Sequence, residues 1–151
     1  MAEVEFYVPG KPQAQGSKVK GRYGNLREDN KELGPWRERV ALAGHAAMNG
    51  LDMIEGPVSM TLLFTMYRPA STPKTRTPPA VKKPDLDKCM RAIFDALTGI
   101  CFRDDSQVVT VTASKRIAGV GETPGVRVVV RPALQFTGTP PISMPHTLQS
   151  V

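Results

Sequence analysis

Residues 3–8, EVEFYV, alternate polar and apolar side chains, the period-two pattern of a strand with one buried face. Farther along, Pro35 is placed to occupy the opening turn of a helix in which Trp36, Val40, Ala43 and Ala47 recur at helical spacing, ending near Asn49-Gly50. The run VSMTLLFTMY over 58–67 is too apolar for a surface strand and rich in residues that favour extended backbone, which predicts a central strand. Pro69, Pro73, Pro78, Pro79 and Pro84 then exclude regular structure. From about Asp85 or Asp87 to Leu97 the period changes: Leu86, Met90, Ile93, Phe94 and Leu97 form one apolar stripe of a second helix, with Gly99 as its stop. Residues 107–118 and 125–131 read as two further strands joined by a hairpin loop, because the glycines between them lack the spacing and the following helix of a nucleotide-binding turn. The expected class is α/β of the α+β kind, a mixed sheet with flanking helices over residues 1–131. An irregular segment follows over 132–151, free of formally charged side chains and carrying Pro132, Pro140, Pro141 and Pro145.

At 151 residues the chain is about one domain long. It has no apolar run near the roughly 20 residues of a membrane span, and its first ten residues lack the plan of a signal peptide, so a soluble, cytoplasmic protein is expected. Cys89 and Cys101 are too few for a disulfide framework and lack zinc-site spacing; they read as reduced, buried thiols. The net charge of +6 is concentrated. Lys11, Lys18, Lys20, Arg22 and Arg27 lie in one stretch without an acid, and Arg68, Lys74, Arg76, Lys82 and Lys83 lie in another. Both stretches are rich in Gly, Pro, Ser and Thr and read as cationic loops suited to a polyanion such as DNA. Lys11, Lys18, Lys20, Arg22, Lys74, Arg76, Lys82 and Lys83 are the candidate DNA-binding residues.

The second basic stretch runs into PDLDKCMRAIFDALTGICFRDDS, which puts Asp85 and Asp87 before one apolar helix and Asp104 and Asp105 after it. Capping accounts for one aspartate. It leaves its neighbour and the second pair unexplained. If the strand at 107 lies beside the strand at 58, the return of the chain is expected to bring Asp104 and Asp105 near Asp85. Carboxylates gathered in this way repel unless a cation joins them. An all-oxygen set matches Mg²⁺ or Mn²⁺ and phosphoryl-transfer chemistry, which requires no side-chain nucleophile. His45 and His146 are accordingly not expected to act as bases. Arg91, one turn beyond Asp87, either forms an intrahelical ion pair with that carboxylate, or acts functionally by steadying it against a metal or by touching the scissile phosphate. Asp95, off the apolar stripe, is assigned to solvent or a local polar contact.

The run KPDLDKCMRAIFDALTGICFRDDSQVV resembles the signature of the RusA family of Holliday junction resolvases of bacteria and their phages: Asp-Leu-Asp opening a helix, Phe-Asp-Ala-Leu-Thr closing it, and Asp-Asp-Ser-Gln-Val beginning a strand. The resemblance implies a homodimeric Mg²⁺- or Mn²⁺-dependent endodeoxyribonuclease of the bacterial cytoplasm, resolving four-way DNA junctions by paired nicks. By position it implies Asp85, Asp87 and Asp105 as catalytic carboxylates with Asp104 beside them in the metal set. It also implies Arg91 at the basic catalytic position, where lysine is common. The alternatives are a DNA-binding or architectural protein whose aspartates cap and solubilise, and a nuclease for other branched DNA.

Overall fold

The computed structural model describes residues 3–16, 18–20, 26–28 and 30–134. Strand β1 (Val4–Pro9) leads to a short antiparallel ribbon, β2 (Lys18–Lys20) with β3 (Leu26–Glu28), and then to helix α1 (Leu33–Met48). Strand β4 (Val58–Met66), helix α2 (Leu86–Leu97), strand β5 (Val108–Ile117) and strand β6 (Gly125–Pro132) follow among the described residues. The main sheet has the order β1-β6-β4-β5. In it β4 pairs with β5 in parallel and with β6 antiparallel, and β6 pairs antiparallel with β1. The fold is thus α+β, a mixed four-stranded sheet with two helices. No helix among the described residues is long and apolar enough to cross a membrane.

Three local expectations change. The first basic stretch is not all loop, since it contains the β2–β3 ribbon. The 119–125 connection does not close a hairpin: β5 and β6 lie on opposite sides of β4, so the chain passes across the end of that strand. Burial explains the choice of partners. In β6, Val126, Val128 and Val130 are fully buried, as an interior strand requires, whereas β5 alternates exposed and half-buried positions along an edge. The third change is on α2, whose buried line is Cys89, Ala92, Ile93, Ala96 and Leu97, with Leu86, Met90 and Phe94 half-buried at its margin. Small side chains on that line let the helices approach closely. At Gly44 of α1 an added Cβ would stand 2.6 Å from a Leu97 methyl and 3.5 Å from the Phe6 ring.

Alternate residues of the strands supply the core: Val8, Val58, Met60, Leu62, Phe64, Val126 and Val128 are sealed beneath the helices. Helix α1 ends as its sequence suggests, at Asn49 with φ 46° followed by Gly50 with φ 81°. Gly99, with φ 85°, turns the chain out of α2.

Candidate active site

Between β4 and α2 the proline-rich loop has no sheet or helix to satisfy its carbonyls, and two cations serve instead. The Arg68 guanidinium donates to the carbonyls of Pro73 (2.6 Å), Arg76 (2.7 Å) and Ala118 (3.1 Å) and to the Thr77 hydroxyl (2.9 Å). The Lys115 ammonium donates to the carbonyls of Lys82 (2.9 Å) and Pro84 (2.8 Å). These bonds fix the approach of the chain to Asp85.

Asp85 occupies the N-cap position of α2 in extended conformation, yet its side chain makes no capping hydrogen bond. Asp87 follows in the first turn, and both residues are exposed at the positive end of the helix dipole. Lys88 Nζ lies 3.9 Å from Asp85 Oδ2. Burial pushes the Cys89 thiol up to about 11; Lys115 opposes that shift and Asp85 and Asp87 add to it, so all three charges act on this turn. Arg91 is exposed and, among the described residues, forms no ion pair with Asp87. Asp95 pairs across to Arg37 of α1 at 3.7 Å, the local polar contact expected of it.

Asp104 and Asp105 have separate duties. Asp104 caps the single 3₁₀ turn Asp105–Gln107 by accepting from the Ser106 N–H at 3.0 Å. Gln107 completes the box: its Oε1 accepts from the N–H groups of Arg103 (2.9 Å) and Asp104 (3.0 Å), and its Nε2 donates to the carbonyls of Ile54 (2.7 Å) and Gly56 (2.9 Å). The turn is thereby bolted to the segment preceding β4. The Ser106 N–H, followed by the Asp105 side chain, holds the Asp104 carboxyl below its ordinary range. Asp105 is pushed up, by desolvation first and then by the adjoining Asp104 and the charge of Asp95.

The two aspartate pairs stand at opposite ends of α2. The strand at 107 does lie beside the strand at 58, as anticipated, but the parallel pairing aligns Val58 with Val108 at one end and Met66 with Ile117 at the other. Helix α2 carries the chain back along much of that length, about 18 Å for twelve residues. Within one chain, therefore, the four carboxylates do not converge. No group of three or more His, Cys, Asp or Glu among the described residues is placed to hold a metal. Each end offers two carboxylates. Such a pair fits Mg²⁺ or Mn²⁺, which take one or two carboxylates and complete their coordination with water and phosphate oxygens.

Of the expected DNA-binding residues, Lys11, Lys74, Arg76, Lys82 and Lys83 are exposed, and Lys82 and Lys83 stand just ahead of Asp85. Lys18 and Lys20 belong to β2, where only the backbone is described, and Arg22 lies outside the described residues, as does His146. His45 is on the exposed face of α1. The sequence reading missed Lys115, Arg68 and Gln107 as organisers of the site. A signal for Lys115 existed: it shares the inward phase of β5 with Val111, Ala113 and Ile117.

Residues 9–131 match the family model described as endodeoxyribonuclease RusA. A curated relative, the uncharacterized protein YqaN of Bacillus subtilis (strain 168), is 32% identical over 142 residues, covering 85% of this chain and 95% of the relative.

Proposed function

This chain belongs to the endodeoxyribonuclease RusA family, and from that premise we propose that it is a Mg²⁺- or Mn²⁺-dependent nuclease of the bacterial cytoplasm that resolves four-way DNA junctions by paired nicks. The observation that carries the reading is Asp85: it stands at the head of α2 without using its carboxylate as a cap, beside an exposed Asp87 and directly after Lys82 and Lys83. Asp85 and Asp87 hold the ion, whose chemistry when bound is Lewis acidity toward the phosphodiester. Lys82 and Lys83 draw the strand in by neutralising flanking phosphates. Arg91, one turn along and unpaired with Asp87, is free to donate to the phosphate as its charge grows.

Asp105 joins this site from a second copy. Because α2 separates Asp87 from Asp105 within a chain, a site using both takes Asp85 and Asp87 from one protomer and Asp105 from its partner. A two-fold pair then has two such sites, matching the near two-fold symmetry of a four-way junction.

The test is junction cleavage in Mg²⁺ by Asp87→Asn, by Asp105→Asn, and by an equimolar mixture refolded together. Each variant alone is expected to be inactive, while the mixture regains nicking at roughly a quarter of the wild-type site number, because mixed dimers rebuild one intact site. A mixture as inactive as its components refutes the shared site. Cleavage retained in both Asp85→Asn and Asp87→Asn refutes the nuclease assignment to this turn.

A further inference from the structure

A cleft of about 450 Å³ opens where β4 ends, between Tyr67 and the 78–84 loop. Its size is that of a small-ligand site, roughly 300–1,000 Å³, and too small for a duplex. The walls are apolar, with Tyr67, Val81 and Ile117 prominent. Three lysines, Lys11, Lys82 and Lys83, stand in its lining, and no described residue of that lining is acidic. The Lys11 ammonium sits 4.6 Å from the Tyr67 ring centroid, covering one face of a ring that remains 48% exposed. The cleft also has a firm wall, because Lys115 binds the Lys82 and Pro84 carbonyls of its loop and Arg68 binds the Pro73 and Arg76 carbonyls just ahead of that loop.

An apolar slot with an aromatic ring and a cationic, acid-free lining matches one kind of occupant: a flat π-system carrying a negative charge. Pro84 lines the cleft and adjoins Asp85, so the occupant is delivered next to the candidate carboxylates. We propose that this cleft takes a single unstacked nucleobase of the DNA strand, stacked on Tyr67, with its phosphate held by Lys11 and the Lys82-Lys83 pair. Stacking of a base on an aromatic side chain is tolerant of sequence and strong enough to matter. The Lys11 ammonium over one face steadies the Tyr67 ring as a platform. The proposal takes the identity of the polymer from the nuclease reading, whereas its test requires no cleavage.

Fluorescence anisotropy in EDTA compares two labelled DNAs, a perfect duplex and the same duplex with one extruded thymidine. The wild-type chain is expected to prefer the bulged DNA by about fivefold or more, and Tyr67→Ala to lose that preference, with a change between ~5- and ~150-fold on the bulged DNA alone. Tyr67→Phe keeps it. Tyr67→Leu, which retains apolar bulk without a π-face, behaves as Tyr67→Ala and replaces it should the alanine variant fail to fold. Lys11→Gln reduces the salt slope on the bulged DNA by about one. No preference in the wild type, a preference that survives both Tyr67→Ala and Tyr67→Leu, or a Tyr67→Phe variant that loses it overturns the proposal. Mg²⁺-dependent nicking is scored separately. A chain that prefers the bulge through Tyr67 without nicking junctions loses the catalytic reading and keeps the cleft; one that nicks without the preference loses the cleft alone.

Discussion

Replacing Lys115 with methionine keeps the length and apolar stem of the side chain and removes its two hydrogen bonds to the loop ahead of Asp85. The two acceptors differ in exposure. The bond to Lys82 is at the surface, where water replaces the ammonium at little cost, whereas the bond to Pro84 is partly buried. Hydrogen bonds to charged groups contribute about 1.5–3 kcal/mol, and the exposed one is discounted, giving a loss of about 2 kcal/mol. Urea denaturation followed by the fluorescence of Trp36, the single tryptophan, reads this directly. At a slope near 2 kcal/mol/M the midpoint falls by about 1 M with the slope unchanged. Ser114→Met, at the neighbouring exposed position of the same strand, is the control and is expected to stay within about 0.5 kcal/mol. Junction cleavage should fall in Lys115→Met under conditions where it remains folded, since the chain entering Asp85 is no longer held. A Lys115→Met chain as stable as wild type, or a Ser114→Met chain equally destabilised, would refute the anchoring role.

Gln107→Ala removes four hydrogen bonds, two from the N–H groups of Arg103 and Asp104 that close the 3₁₀ turn and two to the carbonyls of Ile54 and Gly56 that join it to the segment before β4, and is expected to cost about 2–4 kcal/mol in the same denaturation assay; a cost under about 0.5 kcal/mol counts against the lock. The Glu122 carboxyl is lowered to about 2, first by the Arg116 guanidinium and then by the Gly119 N–H. A depressed folded value contributes stability that is present above the unfolded value of about 4.3 and is lost as pH falls toward about 2. The difference in melting temperature between wild type and Glu122→Gln should therefore be largest near pH 6 and shrink steadily toward pH 2.5, and a constant gap would contradict it. Burial raises both Cys89 and Cys101 to about 11, so a thiol-specific chromogenic disulfide at pH 8 should label neither in the folded chain and both in urea.

Punctuation made the elements readable: Asn49-Gly50, the proline run and Gly99 bound them where local backbone chemistry demands. Strand partnership was not readable from the same marks. The 119–125 turn looks like a hairpin because its residues suit a reversal, and only the greater burial of Val126, Val128 and Val130 reveals that β6 belongs inside the sheet. The candidate site divides similarly. Asp-Leu-Asp at the start of a helix is a local signal, and Asp85 and Asp87 are found there. Where Asp104 and Asp105 go depends on the direction of the crossover, which spacing along the chain does not encode. Asp104, moreover, is engaged as a cap, a role visible only with Gln107 and Ser106 in place.

The last strand among the described residues is an interior one: Val4 is opposite Val130, and Met60 is opposite the same residue from the other side. On the ribosome, β1 and one flank of β4 therefore wait without a neighbour until nearly the whole described chain has emerged. A nascent chain stalled after β5 presents bare strand edges to other molecules, the setting in which aggregation and strand exchange begin. Heterologous production at lowered temperature or with a holding chaperone should consequently raise the yield of folded protein.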